Sequence, residues 1–491
     1  MSAQAVAVPK VMNLVGGKPV QSTTKEWLPV TNPGTGEVIA DVPMSTHAEL
    51  DAAVQAAAAA QRDWGLVALK DRVQVMYRLK GLMEAEADSL AELITRENGK
   101  TVPESKGELL RGIECIEFAA SLPQIAAGNV MEVSRGVECK LLRYPLGVVA
   151  AITPFNFPLM VPLWMAPTVI ALGNALILKP SEQTPLSAIR LGELLAQAGL
   201  PAGIFTVING GREIVEGICD HPTIQAIGFV GSTKVAKLVY ERGSKAGKRV
   251  KALGGAKNHL VVMPDADPGM TAANVVASST GCAGQRCMAA SVLIAVEGTD
   301  HIIDDIKKRF ESMRAGRDIG SLISTDAKSR ITGYIDRCTG AGAKLAVDGR
   351  KLVDPSAPAG GNYLGPTLFD HANPDHEVSC DEIFGPTLTV IRVKNLDQAI
   401  AIENANPYGN AAAIYTSSGE VANYFTERAS AGMIGINIGV PVPREPFPFG
   451  GWNASSFGEG DLTGHGSFDF WTKTKKITTK WTDKNRSNWM S

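Results

Sequence analysis

Short apolar runs alternate with amphipathic stretches through the first half of the chain, which predicts strands that alternate with helices. Because the apolar runs are uninterrupted, they predict strands that are buried on both faces. Buried strands separated by helices are typical of a parallel, doubly wound sheet. The predicted strands are 146–152, 175–178, 205–208 and 226–230, and the predicted helices are 51–63, 71–98, 104–120, 186–198 and 233–246.

A second alternation of the same kind predicts a second doubly wound sheet. Its strands are 259–263, 291–296 and 388–393, its helices are 268–280 and 302–314, and 315–366 is expected to be turn-rich. Two further segments, 131–143 and 466–482, alternate polar with apolar residues and are predicted strands outside both main sheets. The expected fold class is therefore α/β, with two doubly wound parallel-sheet domains and a small β arm.

The stretch from Tyr144 to Leu178 contains no charged residue and is longer than the ~20 residues that a membrane span requires. However, prolines stand at 145, 154, 158, 162 and 167, and they would break the backbone hydrogen bonding that a bilayer demands. We therefore expect buried strand, loop and helix here, and no contact with a membrane.

The chain has 491 residues, with 48 Lys plus Arg against 50 Asp plus Glu, so its net charge is −2. Nucleic-acid binding needs a basic excess, so we expect no nucleic-acid partner and interpret the lysines at 473–480 as a solvated strand face.

The 7 cysteines lack the paired spacing of a disulfide or zinc framework, and the 7 histidines form no HExxH motif, so no metal is expected. The N-terminus shows no signal-peptide pattern, and the expected location is the reducing cytoplasm.

Two segments contain residue types that suit covalent catalysis. In GCAGQRCM the Cys287 thiol follows Arg286, and a neighbouring guanidinium favours the thiolate form. In ITPFNFP, Asn156 follows a predicted strand at the sheet edge where doubly wound sheets bind ligands, and its amide could hold an oxyanion. From the residues alone each has an ordinary alternative, because Cys287 could be a small buried side chain and Asn156 a turn residue.

Three further segments suit a nucleotide. LKPSEQTP provides Lys179 and Glu182, which fit ribose hydroxyls as donor and acceptor, and FVGSTKV places Gly231 and Ser232 at a helix start suited to a diphosphate. DEIFGP, at 381–386, is the third. The chain contains no GxGxxG, GxxxxGK[ST] or GxSxG motif, which excludes P-loop NTPases and argues against a hydrolase.

Taken in this order and spacing, the five segments resemble the NAD(P)-dependent aldehyde dehydrogenase superfamily. The similarity extends from TNPGTGE near residue 31 to NPYG at 406–409 and the terminal strand. The resemblance implies an NAD-binding domain at 1–129 and 147–254, a catalytic domain at 255–460, and an oligomerisation arm at 130–146 and 461–491. It also implies a homo-oligomer, and we expect a tetramer.

The resemblance implies a role for each matching residue. Cys287 would be the nucleophile and Asn156 the oxyanion donor. The residues implied in cofactor binding are Thr153, Phe155, Lys179, Glu182, Gln183, Gly231, Ser232, Glu382 and Phe384. We expect NAD as the cofactor in preference to NADP, because the charge of Glu182 would oppose a 2′-phosphate.

One position departs from the common family pattern. Hydrolytic members have a glutamate in an ELGGK-type motif that activates water, but this chain has Ala252 in the run ALGGA. Without that base, attack of water on a Cys287 thioester should be slow, whereas a thiol ionises more readily. Coenzyme A is therefore the expected acyl acceptor and co-substrate.

The runs GAKNH at 255–259 and NHLVVMPDAD resemble the CoA-acylating branch, which oxidises malonate or methylmalonate semialdehyde to acetyl-CoA or propionyl-CoA with loss of CO2. The carboxylate of such a substrate needs guanidinium partners, and we expect Arg111 and Arg286 to provide them. Two alternatives stay open. One is a hydrolytic semialdehyde dehydrogenase that uses another base and gives a free acid, and the other is a non-catalytic protein that retains the fold.

Overall fold

A computed structural model describes residues 8–340 and 343–481 of the chain. In this part the strands are β1 (Asn13–Val15), β2 (Lys18–Val20), β3 (Trp27–Thr31), β4 (Val38–Pro43), β5 (Asn129–Ser134), β6 (Val137–Pro145), β7 (Val148–Ile152), β8 (Ala175–Lys179), β9 (Phe205–Val207), β10 (Ile224–Val230), β11 (Arg249–Leu253), β12 (Asn258–Val262), β13 (Ala290–Val296), β14 (Lys344–Val347), β15 (Thr367–Asp370), β16 (Thr387–Val393), β17 (Tyr408–Gly409), β18 (Ala411–Tyr415), β19 (Met433–Ile436), β20 (Trp452–Asn453), β21 (Ser456–Phe457) and β22 (Thr472–Lys480).

The helices in the same part are α1 (His47–Trp64), α2 (Leu69–Arg72), α3 (Gln74–Ala85), α4 (Ala87–Asn98), α5 (Val102–Ala120), α6 (Leu122–Ile125), α7 (Met160–Ala171), α8 (Leu186–Gln197), α9 (Arg212–Asp220), α10 (Thr233–Lys245), α11 (Pro268–Thr280), α12 (Asp300–Ser312), α13 (Thr325–Gly340), α14 (Glu377–Cys380), α15 (Leu396–Ala405), α16 (Gly419–Arg428) and α17 (Ser467–Trp471). Short 3₁₀ turns lie at Gly281–Gly284 and Gly349–Lys351.

The first sheet has the strand order β2-β1-β9-β8-β7-β10-β11-β21, and its centre from β9 to β11 is parallel. Every residue of β7 and β8 is buried, as their uninterrupted apolar sequences predict. The strands at both edges are antiparallel, because β1 pairs with β9 and β21 pairs with β11 in that sense. The sheet is therefore doubly wound and parallel where the sequence predicts its strands.

The second sheet has the order β14-β15-β16-β13-β12-β18-β19 and is parallel except at β14. Its apolar strands are buried between helices, so it forms a second doubly wound layer. The predicted fold class is thus confirmed.

The uncharged stretch after β7 forms a buried loop, the helix α7 and the strand β8. All twelve residues of α7 are buried, including Pro162 and Pro167. Carbonyl groups at the end of α7 find partners outside the helix, because Trp64 Nε1 donates to Ile170 O at 2.9 Å and Arg72 Nε donates to Ala171 O at 2.7 Å. In the described part of the chain, none of the helices has both the length and the apolar composition that crossing a bilayer requires.

A separate antiparallel sheet, β22-β6-β5, forms the arm that the sequence predicts from 131–143 and 466–482. The strand prediction is wrong for the first part of 466–482, where Ser467–Trp471 form the helix α17. β22 pairs with β6 from Thr472 opposite Pro145 to Lys480 opposite Val137. Residues 482–491 of the predicted arm lie outside the described residues. The domain boundaries stay a prediction, although β21 at Ser456–Phe457 pairs with the first sheet and not with the catalytic sheet to which 255–460 was assigned.

Two helical regions differ from the sequence-based expectation. The predicted single helix 71–98 is three helices in the structure. It covers the end of α2 and all of α3 and α4, with breaks at Val73 and Glu86. The stretch 315–366, predicted as turn-rich, contains the sixteen-residue helix α13. Glycine, serine and threonine weaken the helical signal of α13, but Ile331, Ile335 and Cys338 form one buried face at helical spacing.

The side chain of Asn174 joins the arm to the first sheet. Its Oδ1 accepts the backbone N–H groups of Leu146 (2.7 Å) and Gly147 (3.1 Å), and its Nδ2 donates to the carbonyl oxygen of Trp471 (3.0 Å). The side chain is fully buried, so water cannot replace these partners.

We expect Asn174→Ala to lower the free energy of unfolding by about 2–4 kcal/mol, because buried backbone groups left without partners cost roughly 1–3 kcal/mol each. Urea unfolding followed by circular dichroism measures the change. Asn129→Ala, on the exposed strand β5, is the matched control and should change stability by less than about 0.5 kcal/mol. Equal unfolding midpoints for the two variants would contradict this account.

Candidate active site

The carboxyl ends of the parallel strands in the first sheet bring the sequence-predicted segments together. The strand order reverses between β7 and β10, and such a switch point opens a crevice beyond the strand ends. A cavity of about 820 Å³, called here the Cys287 cleft, opens beyond them. Its lining includes Cys287, Asn156 and the predicted cofactor-binding residues Thr153, Phe155, Lys179, Glu182, Gln183, Gly231, Ser232, Glu382 and Phe384.

Cys287 lies in the loop between the Gly281–Gly284 turn and β13. Its carbonyl oxygen accepts hydrogen bonds from the side-chain amides of Asn258 (2.9 Å) and Asn410 (3.0 Å). Asn258 begins β12 and Asn410 precedes β18, so the second sheet holds the backbone of Cys287. Sequence analysis missed both amides, because a single asparagine at a strand end gives no signal of its own.

The turn before Cys287 has a left-handed backbone, with φ of 50° at Cys282 and 71° at Gly284. A side chain at position 284 would overlap the carbonyl oxygen of Gly385, so glycine allows the turn to approach the DEIFGP segment. On its other side the turn contacts α5, since the backbone N–H of Cys282 donates to Glu104 Oε1 at 2.6 Å. The Cys287 loop is therefore held between α5 and the second sheet.

Burial determines the protonation state of Cys287. It raises the pKa of the thiol to about 12, and the nearby charge of Glu382 adds to the rise. The Arg286 guanidinium acts in the lowering direction that the sequence suggests, but its effect is smaller than that of burial. The thiol is therefore protonated at neutral pH in this structure.

Asn156 lies in the loop after β7, and its side chain reaches the Cys287 loop. Its Nδ2 donates to the carbonyl oxygen of Gln285, two residues before Cys287, at 2.8 Å. The neighbouring Phe155 carbonyl oxygen accepts a hydrogen bond from Asn98 Nδ2 at 2.9 Å. The structure thus brings together the two residues that the sequence predicts for catalysis.

A buried ion pair between Lys100 and Glu108 supports the Asn156 loop, and neither side chain has exposed surface. Lys100 Nζ also donates to the carbonyl oxygen of Asn156 at 2.6 Å. Glu108 Oε1 accepts the backbone N–H groups of Leu159 (2.9 Å) and Met160 (3.0 Å), where α7 begins. Sequence analysis missed this pair, because Glu108 lies in a helical pattern, where a charge usually marks a solvated face, and Lys100 lies in the connection before that helix.

The cofactor side of the cleft carries cationic side chains, among them Lys179, and the start of a helix. Lys179 Nζ, at the end of β8, pairs with Glu182 Oε2 at 3.1 Å. Ser232 precedes α10, a helix of thirteen residues whose N-terminus can bind an anion. The rings of Phe155 and Phe384 meet edge to face with centroids 5.9 Å apart.

The cleft also contains a polar atom that lacks a partner. Thr153 Oγ1 is buried and makes no hydrogen bond in this structure, which is unusual for a buried hydroxyl. A dinucleotide brings hydroxyl groups and a diphosphate, so Thr153, Lys179 and the start of α10 fit such a ligand. Within residues 8–340 and 343–481, no cluster of three His, Cys, Asp or Glu could hold a metal ion.

Glu382 occupies the wall of the cleft beside the second sheet. Its Oε1 accepts the backbone N–H of Ala256 at 2.9 Å, and burial raises the pKa of this carboxyl. Lys257, for which the sequence indicated no role, is buried and donates to the carbonyl oxygen of Asp381 at 2.7 Å. Lys257 therefore fixes the segment that carries Glu382.

Ala252 is fully buried in β11, where it pairs with Phe229 on one side and Phe457 on the other. Its methyl group offers no proton acceptor. Glu382, a carboxylate in the lining of the cleft, is the residue whose negative charge raises the pKa of Cys287.

The two arginines predicted to bind a substrate carboxylate do not line the Cys287 cleft. Arg286 Nε donates to Cys282 Sγ at 3.2 Å, and its Nη2 lies 3.5 Å from Glu104 Oε1. Arg111, on α5, pairs with Glu114 and Glu445. Both guanidinium groups therefore already have carboxylate partners in this structure.

The chain belongs to the aldehyde dehydrogenase family, because residues 20–477 match that family. It is 44% identical over 476 residues to malonate-semialdehyde dehydrogenase 2 of Geobacillus thermodenitrificans (strain NG80-2), covering 95% of this chain and 98% of that protein. It is 43% identical over 489 residues to malonate-semialdehyde dehydrogenase 1 of Shouchella clausii (strain KSM-K16), covering 98% of this chain and 99% of that protein.

Two solved structures have the same fold. One, from Sinorhizobium meliloti 1021, was solved with NAD and is assigned provisionally as a methylmalonate-semialdehyde dehydrogenase; it matches with a TM-score of 0.96 and 40% identity over 98% of this chain and 100% of that chain. The other is the methylmalonate-semialdehyde dehydrogenase of Oceanimonas doudoroffii, with a TM-score of 0.94 and 38% identity over 97% of this chain and 99% of that chain.

We expect Lys100→Met to lower the free energy of unfolding by about 3–5 kcal/mol, because it leaves the buried Glu108 charge without a partner. The rate of aldehyde oxidation should also fall, since the Asn156 carbonyl loses its donor. The double variant Lys100→Met/Glu108→Gln should recover part of the stability but not the rate.

Urea unfolding and steady-state turnover measure these two quantities. Lys80→Met, which breaks the partly exposed Lys80–Glu84 pair, is the control and should cost less than about 1 kcal/mol. A double variant with the turnover of the unmodified protein would show that the pair does not position Asn156.

We expect Glu382→Gln to lower the pKa of Cys287, because it removes a negative charge that disfavours the thiolate. Alkylation by iodoacetamide requires the thiolate, so its rate at pH 8 should rise by up to roughly tenfold for each pKa unit lost. Mass spectrometry of the Cys287 peptide over a pH series measures the rate. Asp381→Asn is the control, and identical pH profiles for the two variants would refute the assignment.

Proposed function

We propose that this aldehyde dehydrogenase oxidises malonate or methylmalonate semialdehyde with NAD and transfers the acyl group to coenzyme A, releasing CO2. The observation that carries the proposal is the buried Ala252, which removes the water-activating base of the hydrolytic family pattern. The names of the relatives at 42–44% identity support the substrate class. The NAD complex of a similar structure supports the cofactor.

The residues of the cleft would hold NAD with its adenine-side ribose at the end of β8 and its nicotinamide toward Glu382. Lys179 and Glu182 would hold the adenine-side ribose, and Gly231 and Ser232 would lie beside the diphosphate, where a helix start favours negative charge. Thr153, Phe155, Gln183, Glu382 and Phe384 would complete the site toward the nicotinamide. NAD supplies a hydride acceptor when it is bound, and the remaining chemistry falls to this chain's own side chains.

The covalent step would take place at Cys287 Sγ. The thiol gives its proton to water, the sulfur attacks the aldehyde carbon, and the carbonyl oxygen becomes an oxyanion. Asn156 Nδ2 would exchange its bond to the Gln285 carbonyl for one to that oxyanion, a contribution of about 2.7–4 kcal/mol when well aimed. Loss of hydride from this adduct leaves a thioester on Cys287.

The acyl group would then leave by two steps. In a 3-oxo acid derivative the carboxylate can depart as CO2, because the thioester carbonyl accepts the electron pair as an enolate, which is then protonated. The thiolate of coenzyme A attacks the remaining acetyl or propionyl thioester and regenerates the Cys287 thiolate. A thiol with a pKa near 8.5 needs less activation than water, so Ala252 favours this acceptor.

The substrate carboxylate is proposed to bind Arg286 and Arg111. Guanidinium groups bind carboxylates with charge-assisted, often bidentate hydrogen bonds. Arg286 is the direct neighbour of Cys287, and its contact to Glu104, at 3.5 Å, is long enough to exchange for a substrate. Arg111 would first have to exchange Glu445 or Glu114.

A hydrolytic activity that gives a free acid is the second candidate, and one observation favours it. Glu382 lies in the Cys287 cleft, acts electrostatically on Cys287, and has a pKa above the usual range, as a general base for water would need. Against this role, Glu382 Oε1 is already bonded to the backbone of Ala256.

We also propose that the protein forms a homotetramer through the β22-β6-β5 arm and acts in the cytoplasm. Exposed apolar side chains on β5, namely Val130, Met131 and Val133, support assembly through the arm. The seven cysteines, which are all free thiols in this structure, support a location in the reducing cytoplasm.

The proposal predicts that steady NADH formation from malonate semialdehyde requires coenzyme A, and that acetyl-CoA and CO2 accumulate in equal amounts. Without coenzyme A the rate should fall by at least about tenfold, because no strong base activates water. NADH absorbance and chromatography of the thioesters measure the two products. Full-rate NADH formation with free acid as product would contradict the acylating reaction, and Cys287→Ala should abolish activity in either case.

A further inference from the structure

Two carboxylates compete for the guanidinium of Arg111. Arg111 Nη1 lies 2.8 Å from Glu445 Oε2 and also pairs with Glu114, while its Nη2 donates to the carbonyl oxygen of Pro443 at 2.7 Å. Glu445 is the more buried of the two glutamates, with 8% of its side chain exposed against 33% for Glu114. Glu445 therefore holds Arg111 from inside the protein.

One hydrogen-bond donor of Arg111 has no partner among the residues that the structure describes. Arg111 Nε is buried and makes no hydrogen bond, although a guanidinium presents its N–H groups in a fork that suits a carboxylate. Glu445 and Glu114 border a cavity of about 450 Å³ that Phe118 and His465 also line. The cavity therefore adjoins the two carboxylate partners of Arg111, and a small acid that reaches this guanidinium has to displace one of them.

The segment that contacts Arg111 is also held by residues on either side of the Cys287 loop. Val440 and Val442, which precede Pro443, pack against the apolar core that Cys287 also contacts. Ser278 Oγ donates to the carbonyl oxygen of Gly439 at 2.6 Å and accepts the backbone N–H of Ala290, so this segment is tied to both sides of the Cys287 loop.

We propose that Glu445 is a specificity-determining residue, an internal carboxylate that occupies the place on Arg111 which a substrate carboxylate would take. The inference rests on the proposed role of Arg111 in binding that carboxylate. Substrate and Glu445 then compete for one guanidinium, so Glu445 raises the KM for carboxylated aldehydes and leaves uncharged aldehydes unaffected. Without Glu445, Arg111 keeps one carboxylate partner, Glu114, which it shares with Arg444.

The test is a comparison of malonate semialdehyde with propanal in the Glu445→Gln variant of the full-length enzyme. We expect the KM for malonate semialdehyde to fall about tenfold, since one charge-assisted contact becomes free, and the KM for propanal to change less than twofold. Glu117→Gln is the matched control, because Glu117 lies on the same helix and lines the same cavity but pairs with Lys80.

A second background shows whether the effect passes through Arg111. In Arg111→Met, adding Glu445→Gln should no longer lower the KM for malonate semialdehyde. Malonate, which cannot react, provides a binding readout, and its inhibition constant against propanal should fall about tenfold in Glu445→Gln. Thermal unfolding shows which variants are folded, and Glu445→Ala replaces Glu445→Gln if the latter does not fold.

A rise of the KM for malonate semialdehyde in Glu445→Gln, or an equal change for both aldehydes, would overturn the proposal. So would a fall that persists in the Arg111→Met background. These ratios are read from NADH formation with coenzyme A present, because NADH is then formed whether the acyl group passes to coenzyme A or to water. A failure of the acylating reaction is therefore distinguishable from a failure of this inference.

Discussion

The buried pairing of Lys100 with Glu108 is the interaction on which the arrangement of the site depends. Lys100 holds the carbonyl oxygen of Asn156, and Glu108 holds the backbone N–H groups where α7 begins, so the loop between β7 and α7 is held at its middle and at its end. Burying two charges is unfavourable unless each has further partners, and here each has them. The position of the Asn156 amide follows from this ion pair.

One face of α5 extends the same constraint to three loops. Glu104, Glu108 and Arg111 lie at intervals of four and three residues, which places them on one side of the helix. They contact the turn before Cys287, the Asn156 loop and the segment at Pro443, respectively. A rotation or shift of α5 would therefore move the nucleophile loop, the oxyanion loop and the proposed specificity residue together.

Local motifs explain why much of this molecule could be predicted from its sequence. Cys287, Asn156, Lys179 and Glu382 each lie in a short recognisable run of sequence, and the fold brings these runs to one cleft. The doubly wound sheets follow in the same way from uninterrupted apolar strands. The helix α13 escaped prediction because residues of low helical propensity surround its apolar face.

The partners of the site residues could not be predicted, because they are distant in sequence and ordinary in type. Glu445 meets Arg111 across more than three hundred residues, and Lys100 meets Asn156 across fifty-six. The sequence also suggested that Arg286 would favour the thiolate of Cys287. In the structure burial outweighs that charge, since desolvation depends on every surrounding atom and not on one neighbour.

The most direct test of the central claim is the lifetime of the acyl group on Cys287. After the enzyme is mixed with malonate semialdehyde and NAD without coenzyme A, intact-mass spectrometry should detect one acetyl adduct per subunit, and NADH formation should stop at one equivalent. Adding coenzyme A should then remove the adduct within the turnover time. An adduct that decays in water alone at the rate of steady turnover would contradict the account.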